Sequence, residues 1–327
     1  MSNLPALDLH AHIDTTIAPR DLLSLRAVVF AASRSLAESR LALKRQHQDL
    51  LTVWGVGVHP GVKKSLDEYE RIAFDQLIDR TAYVGEVGLD ARVPSRLGKQ
   101  HEVFASLLAQ LQKKPRLTSI HSYGSTTEVV DHLERTPVTG AILHWWLGDR
   151  DATARAIELG AYFSVNTATL RRSNAIDLIP IDRLLPETDH PDGNRSGTRP
   201  HQPGNVADVE ATLAKARGLS AMEVRIQAWR NLATLVTRTR TSALLPERVS
   251  AILSASAWGG ADRELDGTNA RGNLRRSALA SMRIAERDTC TEQVHAHRTR
   301  VEAGLGTDPG QRLALFVPAA HLQHLLW

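Results

Sequence analysis

Four histidines and two carboxylates carry the chemistry expected of this sequence. His10 and His12 close the run Leu7-Asp-Leu-His10-Ala-His12. Residues two apart on a strand share a face, so both imidazoles would project together. Glu86 stands between an apolar run and a glycine in Val84-Gly-Glu86-Val-Gly-Leu-Asp90, where a carboxylate is costly to bury unless it is paired or bound to a cation. Leu117-Thr-Ser-Ile-His121 and Ala141-Ile-Leu-His144 repeat one design, a few strand residues and then a histidine. Asp189 follows Leu184-Leu-Pro-Glu-Thr188, and an aspartate at a strand end serves as metal ligand or proton acceptor. Its neighbour Glu187 is expected to point the other way, and Asp90 to brace a loop or a ligand.

Taken singly, each residue has an ordinary structural explanation: a surface pair for His10 and His12, a salt bridge to Arg92 for Glu86, a satisfied buried histidine for His121 and His144, a turn or cap for Asp189. Together they stand at the ends of successive apolar runs. Four imidazoles and two carboxylates around one point suit Zn²⁺, Mn²⁺ or a mixed pair better than Mg²⁺ alone, because imidazole is a poor Mg²⁺ ligand. Two such cations, about 4 Å apart, would clamp a phosphodiester and activate a water.

The elements that must position these groups follow from the alternation of short apolar runs with amphipathic stretches. Strands are expected over 6–10, 26–31, 51–56, 82–86, 116–121, 139–144, 161–165 and 183–187, and helices over 66–80, 99–113, 126–135, 149–159, 205–217 and 221–236. Strand–helix repetition on this scale predicts an α/β fold, a (β/α)8 TIM-type barrel of about 250 residues whose strand C-termini share one rim; a doubly wound sheet would show the same alternation. The barrel is expected to occupy 1–240 and to fold without the rest. Beyond it no lysine follows Lys215, the composition turns to Ser, Ala, Arg, Thr and Gly, and 241–327 is expected to be a low-complexity, poorly ordered extension.

The whole chain of 327 residues is 42% hydrophobic and 23% charged, with a net charge of +4 and a pI of about 9.4, which suits a polyanionic substrate without demanding one. The single cysteine, Cys290, excludes an internal disulfide framework and a cysteine-based zinc site. No apolar stretch is long enough to span a bilayer and the first residues do not resemble a signal peptide, so the expectation is a soluble, cytoplasmic protein without a membrane partner.

The set Asp8-Leu-His10-Ala-His12, Gly57-Val-His59-Pro60, Gly85-Glu86-Val-Gly88-Leu-Asp90, Ile120-His121-Ser122, His144 and Glu187-Thr-Asp189 resembles the TatD family of metal-dependent deoxyribonucleases, over about residues 4–240. The resemblance implies two divalent metal ions: one held by His10, His12, Glu86 and Asp189, the second by Glu86, His121 and His144, with Glu86 bridging and Asp189 orienting or deprotonating the attacking water. It places His59 behind the ligands or against a phosphate. The implied activity is hydrolysis of phosphodiester bonds in single-stranded DNA. D-aminoacyl-tRNA deacylation, or action as a conditional subunit of a Qat-type anti-phage defence system with protein partners, are the alternatives it carries.

Departures from the family pattern fall on the rim. Ser122-Tyr-Gly124, Trp145-Trp-Leu-Gly148 and His190 replace its usual residues, so the substrate is less determined than the metal site. Tyr123, Trp145 and Trp146 are candidates to stack on unpaired bases. Lys63, Lys64, Arg92, Arg195 and Arg199 are candidates to contact phosphates.

Overall fold

The computed structural model describes residues 4–195 and 197–255. Its strands are β1 (Ala6–Ala11), β2 (Ala27–Ala31), β3 (Thr52–Trp54), β4 (Tyr83–Asp90), β5 (Leu117–Tyr123), β6 (Ala141–Leu143), β7 (Tyr162–Val165) and β8 (Leu184–Pro186). Its helices are α1 (Pro19–Ser24), α2 (Leu36–Arg45), α3 (Lys63–Asp67), α4 (Arg71–Ile78), α5 (Leu97–Leu111), α6 (Thr126–Arg135), α7 (Arg150–Glu158), α8 (Thr167–Arg172), α9 (Ala207–Arg217), α10 (Ala221–Thr239) and α11 (Glu247–Ala255). Each expected strand overlaps one of these. The helix expected over 66–80 is instead two short ones, α3 and α4, with the chain extended at Glu70 between them.

All pairing is parallel, in the order β1-β2-β3 and β4-β5-β6-β7-β8. The strands read as continuous apolar runs because both faces are covered; β2, Ala27-Val-Val-Phe-Ala31, is buried at every residue. Two seams close the ring. On one side Val56 bridges Val84 and the Val58 N–H donates to the Glu86 carbonyl at 2.9 Å. On the other, the Asp189 N–H donates to the His10 carbonyl and the His12 N–H to that of His190, both at 2.8 Å. The result is the TIM-type barrel that the alternation predicts. No helix among the described residues is long and apolar enough to cross a membrane.

Packing carries past residue 240. One apolar cluster gathers Leu7, Leu9, Phe30 and Tyr83 with Trp229, Leu232 and Leu235 of α10, and also takes in Leu245 and Val249. The barrel's cohesive unit therefore includes α11, because α10 alone does not cover that end of the core. The rest of the extension expected over 241–327, from 256 onward, lies outside the described residues.

Candidate metal centre

Glu86 is the hub. It lies in mid-strand, within the register shift between Val84 and Val87 where β4 pairs with β5. Gly88 permits the close approach: its φ is +141°, and a Cβ there would lie 2.1 Å from the His121 carbonyl oxygen, so only glycine fits. Around the buried Glu86 carboxylate, Nε2 of His12 and of His59 each stand 3.2 Å from Oε2 and that of His10 3.7 Å; His144 Nε2 stands 3.4 Å from Oε1. His121 Nδ1 lies against Oε1. Asp189 Oδ1 is 3.6 Å from His10 Nε2 and 3.9 Å from His12 Nε2. The six expected residues thus gather around the Glu86 carboxylate.

The hydrogen bonds behind these rings determine what they present to it. His12 Nδ1 lies 3.1 Å from the Ala32 carbonyl oxygen, which can only accept, so Nδ1 carries the proton and the Nε2 lone pair faces Glu86. His144 is fixed the same way, its Nδ1 3.1 Å from Glu187 Oε2. His121 Nε2 is 3.1 Å from Asp90 Oδ2, which leaves Nδ1 for the centre. Imidazole lone pairs and carboxylate oxygens therefore face one another. His10 Nε2 and Glu86 Oε2 are buried without a hydrogen-bond partner, which is costly for polar atoms unless a cation completes them. The ligand atoms of His10, His12 and Asp189, of His10, Glu86 and His144, and of His59, Glu86 and His121 each lie within 4.8 Å of one another. Such a nitrogen and oxygen set fits a divalent transition-type cation.

His59 differs from the others. The Gly61 N–H donates to its Nδ1 at 2.9 Å, so neutral His59 bears its proton on Nε2 and offers the centre a donor rather than a lone pair. Burial holds its pKa down to about 4. Burial also lowers His10 well below the usual imidazole range, with His144 adding to it. For Glu86 burial opposes the charge, but His59 and His121 outweigh it and keep the carboxyl well below the usual range. Burial raises Asp189 to about 7, a carboxyl able to exchange a proton near neutrality.

Behind these side chains stand groups that the sequence did not point to or pointed to wrongly. Glu187, expected to point away, faces the barrel interior: it meets His144, accepts the Trp145 N–H at 3.0 Å and the Asn166 amide at 3.1 Å, and bonds Ser164. The strand ends at Pro186, so period-two alternation no longer governs residues 187–189. Asp8 accepts from the Thr188 N–H and hydroxyl and from the Gly204 N–H at 2.7–2.8 Å, tying β1 to the segment after β8. Ser119 Oγ lies 2.7 Å from His10 Nδ1. A polar residue inside an apolar strand, as with Asp8 and Ser119, was the available signal.

A cleft of about 600 Å³ opens over the centre, lined among others by His59, Arg92, Tyr123, Trp145, Arg172 and Arg195. Arg92 is 2.6 Å from Asp90 and lies 4.4 Å over the Tyr123 ring, which is 55% exposed. Lys63 and Lys64 are not brought to this cleft; Lys64 pairs at 3.7 Å with Glu68 along α3. Arg199 is likewise absent from the lining. Trp146 is fully buried, its indole N–H on Thr153 Oγ1, and cannot stack on a base. Trp145 remains at the rim, with a positive φ of 42°.

A family described as TatD related DNase matches residues 7–237. A metal-dependent hydrolase of Haemophilus influenzae is 27% identical over 195 residues, spanning 54% of this chain and 74% of that protein. The 3′-5′ ssDNA/RNA exonuclease TatD of Enterobacter lignolyticus is 26% identical over 216 residues, 61% of this chain and 82% of the relative. The crystal structure of a TatD homologue from Escherichia coli K12 shares the fold, with a TM-score of 0.62 at 22% identity, covering 70% of this chain and 97% of the other. The matched stretch runs from β1 into α10 and takes in every residue of the centre, and on that ground this chain belongs to the TatD related DNase family and is a metal-dependent hydrolase.

Proposed function

We propose that this protein is a deoxyribonuclease that cleaves phosphodiester bonds of single-stranded DNA with the help of two divalent cations, Zn²⁺ or Mn²⁺ before Mg²⁺. The observation that carries the reading is the orphaned Glu86 Oε2 among imidazoles from both halves of the barrel, a carboxylate that would help to hold the cations. Residues His10, His12 and Asp189 complete one site, His121 and His144 the other. The nuclease name of the Enterobacter lignolyticus relative supports the substrate class.

When bound, the cations supply Lewis acidity that makes water a nucleophile at neutral pH and offsets charge on phosphoryl oxygens. The chain's own groups do the rest. Asp189 accepts the proton of the attacking water. His59 donates from Nε2 to a non-bridging phosphoryl oxygen as charge builds there. Glu187 and Asp90 hold the proton on the outer nitrogens of His144 and His121, keeping the inner ones free to ligate. Arg92 and Trp145 flank the strand, and Tyr123 offers its exposed ring to a base. No observation on this chain supports a defence-system partner, and we do not propose one.

The test compares the wild type with Glu86→Ala, by metal content and by cleavage of single-stranded DNA after chelation and add-back of Zn²⁺, Mn²⁺ or Mg²⁺. The expected result is metal-dependent cleavage that falls by at least about 10³-fold in a folded Glu86→Ala. Metal binding with DNA left intact would move the substrate to aminoacyl esters. A wild type that binds no metal would refute the centre itself.

A further inference from the structure

Two recesses meet at His12: the cleft over the metal centre, and a second of about 580 Å³. Their charges differ. The second recess is lined by Asp14, Asp21 and Glu38 against a single cation, Arg34. The cleft is lined by three arginines, Arg92, Arg172 and Arg195, beside Glu86 and Asp189 of the centre and Asp192. Arg92 is engaged by Asp90, and Arg195 by Asp192. Arg172 is exposed and forms no ion pair among the described residues.

Arg172 is the last residue of α8, and α8 is registered to the metal centre through one side chain. The Asn166 side-chain oxygen, Oδ1, caps the helix, accepting from the Ala168 and Thr169 N–H groups at 2.9 and 3.0 Å. Its amide donates to Glu187, the carboxylate that orients His144. An uncommitted guanidinium is thereby carried on an element whose start is fixed relative to the reacting atoms.

Resting on the nuclease reading, we infer that Arg172 is the phosphate-binding residue that places the DNA strand on the α8 side of the metal centre, away from the recess of Asp14, Asp21 and Glu38. A polyanion crossing that acidic recess would meet like charge, whereas one crossing α8 meets the only lining arginine, among the described residues, whose charge no carboxylate offsets.

The experiment measures KM, kcat and the salt dependence of KM on oligothymidylates with the metal-loaded full-length enzyme, for wild type, Arg172→Ala, Arg172→Lys and Asp21→Asn. Arg172→Ala is expected to raise KM roughly tenfold with kcat changed far less, and to lower the log–log salt slope by about 0.7, the value of one single-strand phosphate contact. Arg172→Lys restores the slope, since the charge returns. Asp21→Asn leaves both parameters unchanged. An Arg172→Ala enzyme with wild-type KM and slope overturns the inference, as does an Asp21→Asn enzyme whose KM drops as far as that of Arg172→Ala rises. A wild type that hydrolyses a small diester such as bis(p-nitrophenyl) phosphate but neither binds nor cleaves oligonucleotides refutes the nuclease reading, a failure distinct from that of Arg172 alone.

Discussion

Glu187 lies fully buried and still finds four partners, His144, Trp145, Ser164 and Asn166. A carboxylate so placed is stable because each oxygen is satisfied, and its charge keeps the His144 proton on Nδ1. Replacing it by glutamine keeps the volume but allows an amide N–H to point at Nδ1. The ring would then carry its proton on Nε2, toward the ion it should ligate. Glu187→Gln is expected to weaken divalent-cation affinity 10–100-fold, as is usual when an outer hydrogen-bond partner of a ligating histidine is lost. A competition titration against a chromogenic chelator measures this, and unchanged affinity in a folded variant would show Glu187 to be structural only.

At the scale of elements, the contact between β4 and β5 and the cover provided by α11 matter most. Gly88 lets β4 lie against the His121 backbone, and the two residues are paired in register two positions beyond Glu86. Helix α11 acts at a distance from the chemistry. Val249 is fully buried and Leu245 is 7% exposed, and each such side chain contributes about 1.5–3 kcal/mol by leaving water. A chain ending at 240 is therefore expected to unfold at lower urea concentration than one ending at 255, by several kcal/mol in total. Coincident midpoints would mean that α11 merely rests on the barrel.

For the molecule as a whole, the proposed centre would also help to close the fold. Its residues come from β1, β4 and β5 and from the segments after β1, β6 and β8, so an ion held by them would tie distant strands together. An ion present at 100 times its dissociation constant adds about 2.7 kcal/mol to stability. Chelation should lower the melting temperature of the wild type, and Glu86→Ala should show little further loss on chelation. Calorimetry with and without chelator reads both; a wild-type melting temperature indifferent to metal would contradict the arrangement.

The convergence of His10, His12, His121 and His144 was legible in the sequence because each sits on or beside a short apolar run, where the type and period of neighbouring residues dictate a buried parallel strand. The barrel was legible for the same reason, since alternating strands and amphipathic helices of these lengths have few ways to close. What the chain does where it leaves regular structure was not. The direction of Glu187, the full burial of Trp146 against the half-burial of Trp145 at the cleft, the remoteness of Lys63 and Lys64 and the approach of Arg172 all depend on loops and short helices, whose paths no local period sets. The same holds for the end of the folded unit: Leu245 and Val249 are too few to mark a helix by pattern, and only the uncovered core under α10 gives them a place to go. Local sequence thus determined which groups face inward along strands, while tertiary packing decided which of the remaining side chains reach them.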